Sequence, residues 1–291
     1  MIQLHLAVIL AGATGLFAKL VAVSPAVITC GRTLFGSLTL LVAAALTQSS
    51  LRLRSRKDLL LLALSGAILA THWFTFFAAI QVSTVAVGLL AFSTFPLFIT
   101  FLEPVVFGER LHRRDVITAF AVVSGLILVT PGWDVGQQNT QGVLWGILSA
   151  FTFAVLSLLN RSSVRMYPAL TVAFYQQAFA FLCALPVALR WQGVITGRDI
   201  LFLSVLGVIF TALAQGLSVA CLRRLRGQTV GVAFGLEPVY GILLAWLLLN
   251  ESPSLRTICG GLIIVCAVIW TSYTCRYTAT QAVTAASAST R

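Results

Sequence analysis

Residues 84–107 read TVAVGLLAFSTFPLFITFLEPVVF and run into Gly108-Glu109, and residues 229–249 read TVGVAFGLEPVYGILLAWLLL and run into Asn250-Glu251. Each stretch is long and apolar enough to cross about 30 Å of hydrocarbon as a helix. Each also carries a proline inside, where it removes a backbone hydrogen bond and kinks the rod. Pro96 and Pro238 are 142 residues apart, as are Glu109 and Glu251, while Pro25 and Pro168 are separated by 143. The chain is therefore a repeat of about 142 residues, almost ungapped.

Working outward, ten apolar runs are expected to span, at 4–23, 26–47, 59–80, 84–107, 116–132, 142–159, 169–189, 199–221, 229–249 and 257–275. Each copy holds five, an odd number, so the second enters the bilayer from the opposite side. The expected fold is an all-α membrane protein of ten helices, two inverted five-helix repeats around a central cavity. Its first repeat is 1–132, its second 142–275, and 276–291 a disordered cytoplasmic tail of Ala, Ser and Thr. Inverted repeats are an architecture of secondary transporters, with substrate bound near the midplane between the halves. The start lacks a basic segment and Lys19 interrupts the first run before any small-residue cleavage site, so the first span is expected to stay uncleaved.

Composition agrees. Of 291 residues, 59% are hydrophobic and 9% charged, against about 45–50% and 25% in soluble domains, which excludes a soluble globular, disordered or nucleic-acid-binding chain. The net charge of +11 needs no polyanionic partner, because cytoplasmic loops are enriched in Lys and Arg. With the N-terminus inside, fourteen basic residues fall in cytoplasmic segments: Arg52, Arg54, Arg56, Lys57, Arg110, Arg113, Arg114, Arg161, Arg165, Arg223, Arg224, Arg226, Arg276 and Arg291. Three, Arg190, Arg198 and Arg256, fall outside. Both termini are expected in the cytoplasm, and a miscounted helix would scramble this bias.

The six cysteines lie in or at the ends of spans with no CxxC spacing and read as small packing residues. No cofactor is expected. The chain has no HExxH, GxSxG or phosphate-binding glycine loop, and its three histidines lack ligand spacing, so it is not expected to be an enzyme. Gly142/Gly146 and Gly231/Gly235 permit close helix contact, within one protomer in preference to a homodimer.

Polar residues inside spans are costly and mark candidate function. Arg32, seven residues beyond Pro25, lies about 10 Å below the outer surface, and Lys19 sits near the outer end of the first span. Neither has an obvious acidic neighbour at that depth. Their repeat equivalents, Asn160 and Tyr175, lie toward the cytoplasm with Gln176, Gln177, Gln215 and Glu237. His72, Trp73 and Phe76 add a hydrogen-bonding ring and aromatic surface. Together Lys19, Arg32, His72, Trp73, Phe76, Asn160, Tyr175, Gln176 and Gln215 form the expected substrate site. Glu237, the sole acid well inside a span, is the expected proton-coupling group, while Glu103 is read as structural.

The set His72-Trp73-Phe74-Thr75-Phe76-Phe77-Ala78-Ala79-Ile80, Ser83-Thr84-Val85-Ala86, Pro96 and Gly108-Glu109-Arg110-Leu111 resembles the third-to-fourth-helix signature of the drug/metabolite transporter superfamily, EamA type. Ala220-Cys221-Leu222-Arg223-Arg224-Leu225 with Leu236-Glu237-Pro238 and Leu249-Asn250-Glu251 is similar to its second copy. Lys19 and Arg32 match positions where that family often carries these residues. Thr14-Gly15 stands where Trp-Gly is usual, and Phe153 where the matching Trp is. The resemblance implies export of small metabolites such as amino acids across a bacterial inner membrane. Drug efflux is the alternative, and a passive channel a weaker one. Phosphate-sugar carriers fit less well, since no lysine follows Lys57, and the first span lacks the glutamate of the four-helix multidrug relatives.

Overall fold

The computed structural model describes residues 2–108, 113–129, 137–214, 217, 234–267 and 269–270. All secondary structure among them is helical. Helix α1 runs Ile2–Leu20, with a 3-10 turn at Thr14–Leu16. It is followed by α2 (Pro25–Leu46), α3 (Arg56–Val82), α4 (Val85–Phe92), α5 (Phe95–Phe107), α6 (Arg113–Val129), α7 (Gln138–Met166) and α8 (Ala169–Ala188). Then come α9 (Gly197–Gly207), continued by a π-helical segment Val208–Leu213, α10 (Glu237–Leu249) and α11 (Leu255–Ala267). Among the described residues, six helical runs are long and apolar enough to cross a membrane, α4 and α5 counting as one. Residues 130–132 of the fifth expected span, 215–216 and 218–221 of the eighth, 229–233 of the ninth, 268 and 271–275 of the tenth, and the tail 276–291 lie outside the described residues.

Side chains set the helix boundaries. Ser24 caps α2, with Pro25 in its first turn, and Ser55 and Thr84 accept from backbone N–H groups at the starts of α3 and α4. Thr196 and Asp199 form a reciprocal capping box on α9. Gly108 and Asn250 end α5 and α10 in the left-handed conformation, at φ of 71° and 55°. Glycine meets that demand without strain, and asparagine is the next best choice.

Pro96 and Pro238 are not kinks inside continuous helices. Each sits in the first turn of a new helix, α5 and α10, just after a two-residue turn at 93–94 and 235–236. A proline there loses nothing, because the first turn has no intrahelical acceptor for its N–H. Ser93 and Thr94 donate their hydroxyls to the carbonyls of Leu89 and Ala91, covering polar backbone near the break. Among the described residues, the prolines within helices are Pro104 and Pro186.

Helix α3 packs on α7 and α8, α2 on α8 and α9, α4 and α5 on α7, and α1 on α10. Side chains on Gly142 and Gly146 would collide with Ser83 and Ala91, so this pair seats α7 on α3 and α4 within one chain. Gly231 lies outside the described residues. A Cβ on Gly12 would stand 2.6 Å from the Glu237 carbonyl oxygen and 2.9 Å from Gly241 N, which fixes the α1–α10 crossing.

Two ends of the bundle are tied by different groups. At the first, Lys19 donates to Ser83 O at 2.8 Å, Glu251 accepts from Val85 N at 2.9 Å, and Asp199 accepts from Ala22 N at 3.3 Å. At the second, Tyr167 donates to Asp58 at 2.6 Å and accepts from Arg54 N, while Tyr175 donates to Leu51 O and Thr171 to Ser50 O.

Candidate functional site

Between the ends lies a cavity of about 400 Å³. Trp73 and Phe76 from α3, Phe92 and Phe95 at the α4–α5 break, Phe153 from α7, Phe210 from the π-helical segment and Phe234 build an aromatic wall. Polar side chains converge on it from both ends: Arg32 from α2, Asn160 from α7, Gln176 and Gln177 from α8, and Glu237 from the first turn of α10.

Arg32 is buried, with 3% of its surface exposed, and its guanidinium carbon stands 3.3 Å from the Trp73 ring centroid. Its Nε and Nη1 have no hydrogen-bond partner, and Arg32 makes no ion pair among the described residues. Glu237 lines the same cavity. The acidic neighbour that sequence did not reveal is thus 205 positions away in the chain. The other buried polar atoms without a partner are His72 Nε2, Trp73 Nε1 and Gln177 Oε1, all on cavity-lining residues. Buried polar atoms are normally satisfied. Here every exception among the described residues belongs to the lining of one cavity.

Of the expected site residues, Arg32, His72, Trp73, Phe76, Asn160, Gln176 and Glu237 line this cavity. Gln176 donates to Asn160, so those two partly satisfy each other. Lys19 does not line it. The ammonium caps Ser83 O and lies 3.9 Å from Glu251, a pairing between the first and ninth expected spans that sequence spacing cannot supply. Tyr175 is turned to the second end, toward Leu51 O. Gln215 lies outside the described residues. Glu103 pairs with Arg161 at 3.0 Å, in line with a structural role. Sequence reasoning missed Ser149, whose hydroxyl and carbonyl both face His72; a serine in an apolar helix carries no mark of its partner.

A second cavity of about 200 Å³ lies at the two breaks, lined by Ser93, Pro96, Gly235 and Pro238, and it shares Phe92, Phe95, Phe234 and Glu237 with the first. Glu237 therefore stands between them. No group of three or more His, Cys, Asp or Glu able to hold a metal occurs among the described residues.

A polytopic helical membrane protein enclosing a small aromatic cavity with unpaired polar groups belongs among carriers of small molecules. The chain is a member of the EamA-like transporter family, whose model matches residues 1–130 and 140–273, and so is a transporter of the drug/metabolite superfamily kind. It is 27% identical to the pseudopaline exporter CntI of Pseudomonas aeruginosa, over 81% of this chain and 82% of that protein. It is 25% identical to an S-adenosylmethionine uptake transporter of Rickettsia prowazekii, over 61% of this chain and 60% of that protein. One solved crystal structure shares the fold at a TM-score of 0.68 and 22% identity, covering 94% of this chain and 97% of the other.

Proposed function

We propose that this transporter exports small metabolites bearing a carboxylate, amino acids among them, by alternating access across the bacterial inner membrane. The observation that carries the reading is the buried, unpaired Arg32 guanidinium on the wall of the aromatic cavity. A desolvated cation with free N–H groups selects an anion, and a guanidinium matches a carboxylate. The ring-lined wall suits an apolar side chain, and for bulkier apolar cargo it also favours the second reading, efflux of drugs.

Alternating access is proposed to arise from two inverted repeats, 1–132 and 142–275. Supporting devices recur about 142 residues apart: the breaks at 93–94 and 235–236, the left-handed caps Gly108 and Asn250, and the capping acids Asp58 and Asp199. Asp58 lies at the second end of the bundle and Asp199 at the first, as inversion requires. Arg52, Arg54, Arg56, Lys57, Arg161 and Arg165 cluster by sequence position at the second end, which is assigned to the cytoplasm with both termini. Glu237, between the two cavities, is proposed as the proton-coupling group.

Proteoliposomes preloaded with L-phenylalanine test the carrier reading. Labelled L-phenylalanine should enter by saturable exchange, without a gradient, and be competed by unlabelled amino acids. Non-saturating flux would replace the carrier by a channel, and exchange of apolar cations in preference to carboxylates would favour drug efflux.

A further inference from the structure

His72 is held from two sides. Its ring lies 4.5 Å from Trp73, 5.0 Å from Phe153 and 5.3 Å from Phe92, centroid to centroid, which fixes its plane. Its Nδ1 is 3.1 Å from the Ser149 carbonyl oxygen and 2.9 Å from Ser149 Oγ. A carbonyl oxygen only accepts, so Nδ1 carries the proton. Ser149 Oγ spends its own hydrogen on the His72 carbonyl, at 3.1 Å, and so faces Nδ1 as a second acceptor. A second positive charge would repel Arg32 in the same water-poor cavity, so the ring is neutral. Its Nε2 is then a bare lone pair, buried and unpartnered at the wall.

The cavity consequently offers orphaned groups of both kinds. Arg32 Nε and Nη1 and Trp73 Nε1 are donors, whereas His72 Nε2 and Gln177 Oε1 are acceptors. Arginine alone would select any carboxylate. We propose that His72, held in its Nδ1-protonated form by Ser149, is a specificity-determining residue that accepts a hydrogen bond from an amino group on the cargo, so that the site requires amine and carboxylate together. This rests on the carboxylate-carrier reading. Ser149 acts through His72 and is a positioning residue.

Calorimetry on the purified full chain in detergent compares L-phenylalanine with 3-phenylpropionate, which lacks only the amine. A lost hydrogen bond to a charged group predicts about 10- to 150-fold weaker binding of 3-phenylpropionate. In His72→Phe the two should bind within about threefold of each other, with 3-phenylpropionate unchanged, while His72→Gln, which keeps an acceptor, should retain part of the discrimination. Ser149→Ala should reduce the discrimination and Ser149→Thr restore it. Nitrogen NMR of the wild-type chain labelled at histidine, assigned with His72→Asn, should find the proton on Nδ1, and this needs no folded Phe variant. A proton on Nε2, equal binding of the two acids, or discrimination surviving in His72→Phe overturns the assignment and leaves the carrier reading intact. If neither acid binds the wild-type chain, the carboxylate-carrier reading falls with it.

Discussion

Replacing Arg32 by Gln should weaken cargo binding while leaving the empty protein at least as stable. Arg32→Gln keeps a hydrogen-bonding group of similar reach and removes the charge. If a carboxylate meets Nε and Nη1, both now without partners, the lost charged hydrogen bond is worth about 1.5–3 kcal/mol, or about 10- to 150-fold in Kd. For the empty protein the balance is different. The guanidinium stacked 3.3 Å from the Trp73 centroid contributes about 2 kcal/mol of cation–π attraction. Against this stands the desolvation of an ion buried to 3% exposure without an ion pair, several kcal/mol after relaxation. Removing both leaves the unliganded fold unchanged or more stable. Binding residues often lower stability in this way, because they are arranged for a ligand. Calorimetry with L-phenylalanine and thermal unfolding of the same samples without ligand read the two quantities separately. Unchanged Kd with a lower Tm would make Arg32 a structural residue whose unpaired atoms serve the fold, and would refute the argument.

Lys19→Met should lower Tm by the worth of one hydrogen bond to Ser83 O, about 0.5–1.5 kcal/mol for this partly exposed group, and leave L-phenylalanine affinity unchanged; a large loss of affinity would return Lys19 to the site. Gly12→Ala should destabilise by about 1–3 kcal/mol through overpacking at the α1–α10 crossing, seen as a lower Tm, and an unchanged Tm would mean that the crossing relaxes freely. Glu237→Gln should abolish proton-driven accumulation in vesicles while preserving exchange, and accumulation that still follows a pH gradient would remove Glu237 from coupling. In a chain freed of its native cysteines, cysteines placed at Gln138 and Gly193 should react with an impermeant reagent from outside and those at Ser55 and Arg113 should not; protection at Gln138 would defeat the inverted-repeat reading.

The all-helical membrane class, the matched breaks near Pro96 and Pro238 and many of the polar residues that line the cavity were legible because each depends on local composition. Burying an arginine, a histidine or a glutamate in an apolar run is costly wherever it occurs, so Arg32, His72 and Glu237 stand out without neighbours. Contacts across the bundle were not legible. Lys19 resembled Arg32 on sequence, yet it caps the end of α3, while Arg32 faces the cavity; the difference is which way α1 and α2 present these side chains, and periodicity in uniformly apolar helices does not encode that. Tyr175 and Gln176 are adjacent in sequence and, about 100° apart on a helix, turn to different places. The prolines were legible as interruptions, but whether they bend a helix or begin one depends on the two-residue turns at 93–94 and 235–236 that precede them.

The scaffold devices repeat, but the chemistry does not. The position 142 residues before Glu237 is Phe95, likewise the first residue after its break and likewise on the cavity wall. The repeat equivalent of Arg32, 143 residues on, is Tyr175, which is turned to the second end of the bundle. On the proposed inverted-repeat reading, two halves with identical side chains would give inward- and outward-facing states of equal free energy, and neither cargo nor proton could favour one of them. A ligand shifts such an equilibrium only through a difference in affinity between the states. On the proposed coupling role, Glu237, matched by Phe95 at the corresponding break, would supply that difference: when the halves exchange conformations the carboxylate would exchange its surroundings, while the matching phenyl ring has no charge to lose. Glu237 is also in the first turn of α10, directly after the break at 235–236. A change in that turn as the break opens and closes would alter proton affinity directly, which is why coupling is proposed at a site where the repeat differs in chemistry and is preserved in geometry.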